Sequence, residues 1–168
     1  TAMMAGIKTD AGVLSVDEQV NRGDCASAKG RQVTTALELA ILSGKATGIV
    51  TTARITHATP AASYAKSAER DWENDSELSA EAKAAGCIEI AQQLLAFEGR
   101  IDVVLGGGRK HFLPEANMGA RQDGKNLIEQ WQKIYPQGQY VNSKQQLFRL
   151  NSQDNGPILG LFNDSHMN

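Results

Sequence analysis

A chain of 168 residues, 41% of them apolar and 16 of them glycine, can build one ordinary globular core and is not a disordered polymer. Its 17 lysines and arginines against 19 aspartates and glutamates leave a formal net charge of -2, which argues against binding nucleic acid through bulk electrostatics. No apolar run approaches the roughly 20 residues of a membrane-spanning helix.

The first thirty residues are rich in Gly, Ser and polar groups, and residues 13–16 alternate as a short strand would. From Val33 the pattern turns helical: Val33, Leu37, Ala40 and Ile41 share a face, and Ser43-Gly44 stops the run. Residues 46–52 are β-branched and not amphipathic, as expected of a buried central parallel strand. Thr59 followed by Pro60 reads as an N-cap and a first helical position. A polar loop over 71–77 leads to Ser79, a second N-cap signal. The helix expected there runs to about Phe97 and buries Ala84, Ile88, Ala91, Leu94 and Leu95.

Gly99 ends that helix, and residues 101–105 form a second strand closed by Gly106-Gly107-Gly108. Residues 109–122 read as an irregular surface loop. A shorter helix follows Asn126 as far as about Lys133, residues 139–141 read as a strand, Ser143 caps a brief helix to Leu150, and residues 158–162 are the last strand. Helices alternating with short apolar strands predict an α/β fold with a mostly parallel sheet.

Cys25 and Cys87 are too few for a disulfide framework or a structural zinc site. Two readings stand: unrelated thiols, or one bridge from a loop to a helix in an oxidising compartment.

Open α/β sheets place ligands beyond the carboxyl ends of their strands, and two segments lie there. In the first, His57 and Thr59 are two apart and project from one side of an extended stretch, where imidazole and hydroxyl can hold a metal ion or its water. Arg54 and Arg70 bracket the segment and can meet an anion. The plainer reading makes Thr59 a cap, His57 a hydrogen-bonded loop residue and both arginines solvated. In the second, Gly106-Gly107-Gly108 before Arg109-Lys110 can either cradle a phosphate through backbone N–H groups or mark a tight turn against another element. The turn is the preferred reading, since neither the P-loop nor the dinucleotide spacing is present. His111 and His166 stand alone in sequence and support no metal spacing.

Taken together the blocks resemble the alkaline phosphatase family over essentially the whole chain. They are Thr1-Ala2 with Gly6-Ile7-Lys8, residues 48–62 with Arg54, His57 and Thr59, and residues 64–72 with Arg70. Gly86-Cys87, residues 101–110, residues 123–127 and residues 159–162 complete the series. The details resemble the animal-type branch or a bacterial relative of it. The resemblance implies a three-layer α/β fold with a central, mostly parallel sheet flanked by helices. It implies hydrolysis of small-molecule phosphate monoesters through a phosphoserine, with two zinc ions and one magnesium ion.

Carried over by position, Arg70 matches the phosphate-binding arginine and Thr59 the magnesium-binding threonine. His57 matches a position at the same magnesium site that is histidine in the animal type, and it is expected to act through a water or to favour zinc at that third site, because imidazole is a poor direct ligand for Mg²⁺. Cys25 and Cys87 match a disulfide pair, which favours the bridge and an exported protein, periplasmic, extracellular or at the cell surface. A homodimer is implied for the full-length protein. Asn163 stands where the animal type has a glutamate associated with calcium, so no calcium site is carried over.

The family's nucleophilic serine and zinc ligands match no residue here. The resemblance therefore makes residues 1–168 an internal portion of one larger domain, truncated at both ends and inactive alone. Two alternatives remain: a related metal-dependent phosphodiesterase, sulfatase or phosphomutase, and a non-catalytic α/β anion-binding module. One geometric condition attaches to Arg70. A straight helix over residues 60–69 would be about 15 Å long, so Arg70 meets a phosphate near Thr59 only if that helix stops early and the chain turns back.

Overall fold

The computed structural model describes residues 1–97, 99–151 and 156–167; Glu98, residues 152–155 and Asn168 lie outside the described residues. Among the described residues four strands form one all-parallel sheet: β1 (Gly48–Arg54), β2 (Val103–Gly107), β3 (Gln139–Val141) and β4 (Ile158–Leu161), in the order β1-β2-β4-β3. Parallel neighbours cannot be joined by a hairpin, and the connections between these strands carry the helices that flank the sheet.

Those helices, with two before the sheet, are α1 (Ala2–Ala5), α2 (Ala36–Leu42), α3 (Ala58–Ala61), α4 (Ala80–Ala84), α5 (Ile90–Ala96), α6 (Leu127–Ile134) and α7 (Lys144–Leu147). The main core joins Ile49, Val104, Leu159 and Leu161 of the sheet to Leu37, Ile90, Leu94, Leu127 and Trp131 of the helices. A second, smaller core gathers Val13, Val16, Val20, Trp72, Leu78 and Ala82 around the Cys25–Cys87 disulfide.

Several expectations are corrected. Residues 13–16 are all buried but form only isolated bridges, Leu14 to Ser67 and Val16 to Gln32, because Ser15 takes φ 49° and breaks the strand. Helix α2 starts at Ala36 rather than Val33. Thr35 and Glu38 close a capping box there, with Thr35 N–H donating to Glu38 Oε2 at 2.6 Å and Glu38 N–H to Thr35 Oγ1 at 3.3 Å. Strand β1 is shifted two residues towards the C-terminus and is an edge strand among the described residues, with Val50 75% exposed. Its β-branched run therefore reports fit to a pleated surface, not burial on both faces.

The single helix expected from Ser79 is two. Gly86, at φ 80°, stops α4, and Glu89 opens α5, so Ala82 is buried while Ala84 and Ile88 are exposed. Helix α7 is one turn shorter than expected.

Residues 109–122 are not a surface loop. Short 3₁₀ turns at Arg109–Phe112 and Glu115–Asn117 bury His111 and Phe112. Arg121, with a fully buried side chain, holds the segment together. Its Nη2 lies 2.7 Å from Asp123 Oδ2 and 3.7 Å from Asp75 Oδ1. Glu89 Oε1 is also 2.7 Å from Nη2, an ion pair but out of line for a hydrogen bond. Burial works against the Arg121 charge, but these carboxylates outweigh it and hold the guanidinium above its ordinary value.

Candidate functional site

The site forms where β1 ends. Ile55, fully buried, donates its N–H to Gly107 O at 3.0 Å, which ties the exit of β1 to the exit of β2. His57 is extended (φ -64°, ψ 149°), and its carbonyl accepts from Ala61 N–H at 2.9 Å, so His57, not Thr59, is the N-cap of α3. Thr59 is the second residue of that helix and exposed.

Helix α3 is a single turn. Hydroxyl groups take the carbonyls at its end: Ser63 Oγ donates to Pro60 O at 2.6 Å, Ser15 Oγ to Ala62 O at 2.6 Å and Thr35 Oγ1 to Ser63 O at 2.7 Å. The chain then doubles back, with Ser67 bridged to Leu14 in both directions and Arg70 N–H donating to Gly12 O at 2.7 Å. Arg70 Nη2 arrives 3.3 Å from His57 Nε2. The early stop that the Arg70 assignment required is present.

Arg54 is not solvated. Its Nε and Nη2 grip the Glu73 carboxylate at 2.8 and 2.6 Å, and Thr56 Oγ1 donates to Glu73 Oε2 at 2.5 Å. Burial pushes the Glu73 carboxyl up, but the Arg54 and Thr56 hydrogen bonds win and keep it below the usual range. Arg54 is thereby neutralised by its own partner, whereas Arg70 keeps 40% of its side chain exposed beside the open carboxylate of Asp71 at 3.7 Å. Of the two arginines, Arg70 is the more exposed.

His57 is held below its ordinary pKa, first by burial and then by the cations Arg54 and Arg70. An arginine can only donate, so His57 Nε2 accepts from Arg70 and the proton sits on Nδ1, which is buried and has no hydrogen-bond partner. His166, read as a solitary histidine, stands edge-to-face with His57 at 5.3 Å between ring centroids. His111 is a buried core residue with one ring nitrogen hydrogen-bonded and its Nε2 left without a hydrogen-bond partner. Asn74 Nδ2 meets its Nδ1 at 2.8 Å, its Nε2 lies 3.4 Å from Glu73 Oε2, and burial pushes its pKa down to about 4.

The glycine loop is a packing device. A Cβ on Gly106 would come within 2.8 Å of Ile55, and one on Gly107 would collide with the carbonyl of Ser165. Gly108 N–H donates to Ser165 O and Arg109 N–H to Asn163 O, both at 3.0 Å, so these two groups are not available to an anion. Asn163 spends its own amide on His166 O and Asp164 N–H.

The thiols are joined. The Cys25–Cys87 disulfide, with Cα atoms 5.9 Å apart, decides between the two readings of the cysteines. No cluster of three or more His, Cys, Asp and Glu side chains able to hold a metal occurs among the described residues. What is present is a partial set: the exposed Thr59 hydroxyl, a hard oxygen donor, with His57 two residues before it. Sequence reasoning missed Glu73, Thr56 and Asn74. The only available signal was a carboxylate three residues beyond Arg70, and nothing in its spacing pointed to Arg54.

A family model described as alkaline phosphatase matches residues 1–168. The tissue-nonspecific alkaline phosphatase of Gallus gallus is 41% identical over 99% of this chain and 35% of its own length. The human tissue-nonspecific isozyme is 37% identical over 99% and 34%, and a Gadus morhua alkaline phosphatase 39% over 96% and 37%. Among solved structures, the Thermus thermophilus alkaline phosphatase superposes with a TM-score of 0.70 at 31% identity, over 99% of this chain and 28% of its own. The enzyme of the Antarctic bacterium TAB5 gives 0.68 at 25% identity, over 99% and 39%, and a variant of that enzyme was solved with Mg bound in its M3 site. The chain spans about a third of the length of the curated relatives it matches.

Proposed function

The chain belongs to the alkaline phosphatase family, and from that premise we propose that it forms one wall of the active site of a phosphomonoester hydrolase. The observation that carries the reading is the return of Arg70 to His57 after a single helical turn. A planar guanidinium presents two parallel N–H groups, which match two oxygens of a phosphoryl group as an ammonium cannot. Arg70 binds the phosphate monoester through that fork and steadies the charge that spreads over the equatorial oxygens as the phosphoryl group moves. It serves in the same way when phosphate passes to a serine hydroxyl and then to water, with the serine and the zinc ligands contributed from outside this chain. Separated from them, residues 1–168 are an inactive portion of the larger domain.

His57 and Thr59 fit part of a magnesium site. The Thr59 hydroxyl suits a hard cation directly, and His57, two residues before it, would act on that cation through a water. Bound zinc and magnesium would supply activated oxygen nucleophiles and positive charge for the leaving oxygen. His57 holds the guanidinium of Arg70 by accepting from its Nη2, and its lowered pKa keeps it able to do so at neutral and alkaline pH.

The disulfide supports export to a periplasmic, extracellular or cell-surface location, since such bridges persist in oxidising compartments. No helix among the described residues is long and apolar enough to cross a membrane. A homodimer is proposed for the full-length protein.

Arg70→Ala in the full-length protein should weaken inhibition by inorganic phosphate and lower kcat/KM together, by about 10²-fold or more. Unchanged kinetics would remove Arg70 from the mechanism. Turnover of p-nitrophenyl phosphate by residues 1–168 alone, insensitive both to chelator and to Arg70→Ala, would overturn the whole reading. Phosphate binding that needs no metal would favour an anion-binding module instead, although the occupied N–H groups of Gly108 and Arg109 speak against one.

A further inference from the structure

The loop after β4 is pinned across the ends of β1 and β2. Gly108 N–H donates to Ser165 O at 3.0 Å, Met167 N–H to Thr52 O at 2.8 Å, and Asn163 Nδ2 to the carbonyl of His166 itself at 2.7 Å. With the backbone fixed on both sides, the His166 ring is set between two residues of the site, although its outer side is exposed.

Arg54 Nη1 and His166 Nε2 are 2.6 Å apart. Because an arginine has donors only, His166 Nε2 accepts. The Arg54 fork cannot swing away, since its Nε and Nη2 are committed to Glu73. On its other side the His166 ring meets His57 at 5.3 Å between centroids, with the planes inclined by 68°. This is the edge-to-face geometry that aromatic pairs favour. His57 in turn accepts from Arg70. An unbroken row of contacts thus runs Glu73, Arg54, His166, His57, Arg70, from a buried carboxylate to an exposed guanidinium.

We propose that His166 is a positioning residue for phosphate recognition: clamped by Arg54, it sets the ring angle of His57 and through it the orientation of the Arg70 guanidinium. This rests on the reading of Arg70 as the phosphate fork. His166 does not touch the phosphate. It decides how much of the fork is already aligned before phosphate arrives, so its loss costs alignment entropy instead of a contact.

The test is calorimetric binding of inorganic phosphate to the metal-loaded full-length protein, using His166→Ala, Arg70→Ala and the double variant. His166→Ala should weaken phosphate binding about 5- to 10-fold, and the same substitution in the Arg70→Ala background should change nothing further. His166→Gln keeps an acceptor for Arg54 but drops the ring. It should hold the fold and still bind phosphate less tightly than the wild type, which separates ring packing from simple loss of an Arg54 partner. Phosphate affinity unchanged in His166→Ala, fully restored in His166→Gln, or reduced equally with and without Arg70 would each overturn the inference. Failure of the underlying reading looks different: Arg70→Ala itself would then leave phosphate binding intact.

Discussion

Replacing Arg121 by Met tests the electrostatic logic of the fold most directly. The guanidinium is fully buried and within 2.7 Å of both Asp123 and Glu89, with Asp75 at 3.7 Å. Methionine fills much of the space but strands carboxylates that have little access to water, Glu89 keeping 9% of its side-chain surface and Asp123 23%. Removing one partner from such a buried set costs about 3–5 kcal/mol, a large share of the 5–15 kcal/mol that holds an ordinary domain.

The sign of the pH dependence is fixed by Asp123. Burial pushes its carboxyl up, but the Arg121 hydrogen bonds prevail and bring it down to about 2 from 3.8. A carboxyl with a depressed native pKa contributes stability that is complete above 3.8 and is lost as pH falls towards 2. The gap between wild type and Arg121→Met, measured by urea unfolding of the full-length protein, should therefore be widest at neutral pH and shrink as pH falls below about 4. Adding Glu89→Gln and Asp123→Asn to Arg121→Met should recover part of the loss, since neutral groups need no counter-charge. A gap below about 1 kcal/mol at pH 7, or one that stays constant down to pH 3, would refute the argument.

Three further outcomes are expected. His111, held at about 4 against its ordinary 6.5 by burial, contributes stability that is complete above 6.5 and is eroded as pH falls to about 4, by up to roughly 3 kcal/mol; His111→Gln should flatten that limb of a pH–stability curve. Gly107→Ala places a methyl on the carbonyl of Ser165 and should cost at least about 1–3 kcal/mol by denaturant unfolding, whereas Gly44→Ala, with open space around it, should lose only what its positive φ demands. Reduction of Cys25–Cys87 frees a loop of 62 residues, so the reduced protein should lose roughly 4 kcal/mol, measured by thermal unfolding with and without reductant.

The parallel sheet was legible because its strands are short and mostly β-branched or apolar, and the helices at 127–134 and 144–147 because Asn126 and Ser143 cap them as their types predict. Boundaries failed where one residue changed the backbone. Gly86 cut a continuous apolar stripe in two, and Thr35 with Glu38 overrode the apolar phase that began at Val33. The segment 109–122 failed for a different reason: its polar composition reads as solvated, and only tertiary pairing shows that Arg121 is buried. At the site, the return of Arg70 could be posed as a condition but not answered, because the hydroxyls that end α3 include Ser15 and Thr35 from distant parts of the chain. The row from Glu73 to His166 spans up to 112 residues in single contacts, and no periodicity encodes that distance.

The irregular register between the first two strands has a consequence for evolution and for engineering alike. Val50 faces Leu105 and Arg54 faces Gly107, so four steps along β1 are matched to two along β2. The two surplus residues act as a key in a lock. Sliding β1 by even one position would move Arg54 about 3.3 Å and press the bulge against a straight partner, so the register cannot drift while the sheet stays paired. Deleting one of residues 51–53 would therefore spare the hydrophobic pairing of Ile49 with Val104 and dismantle the Arg54 clamp beyond it. The chain separates the part of β1 that makes a sheet from the part that aims a side chain, and the bulge is the joint between them.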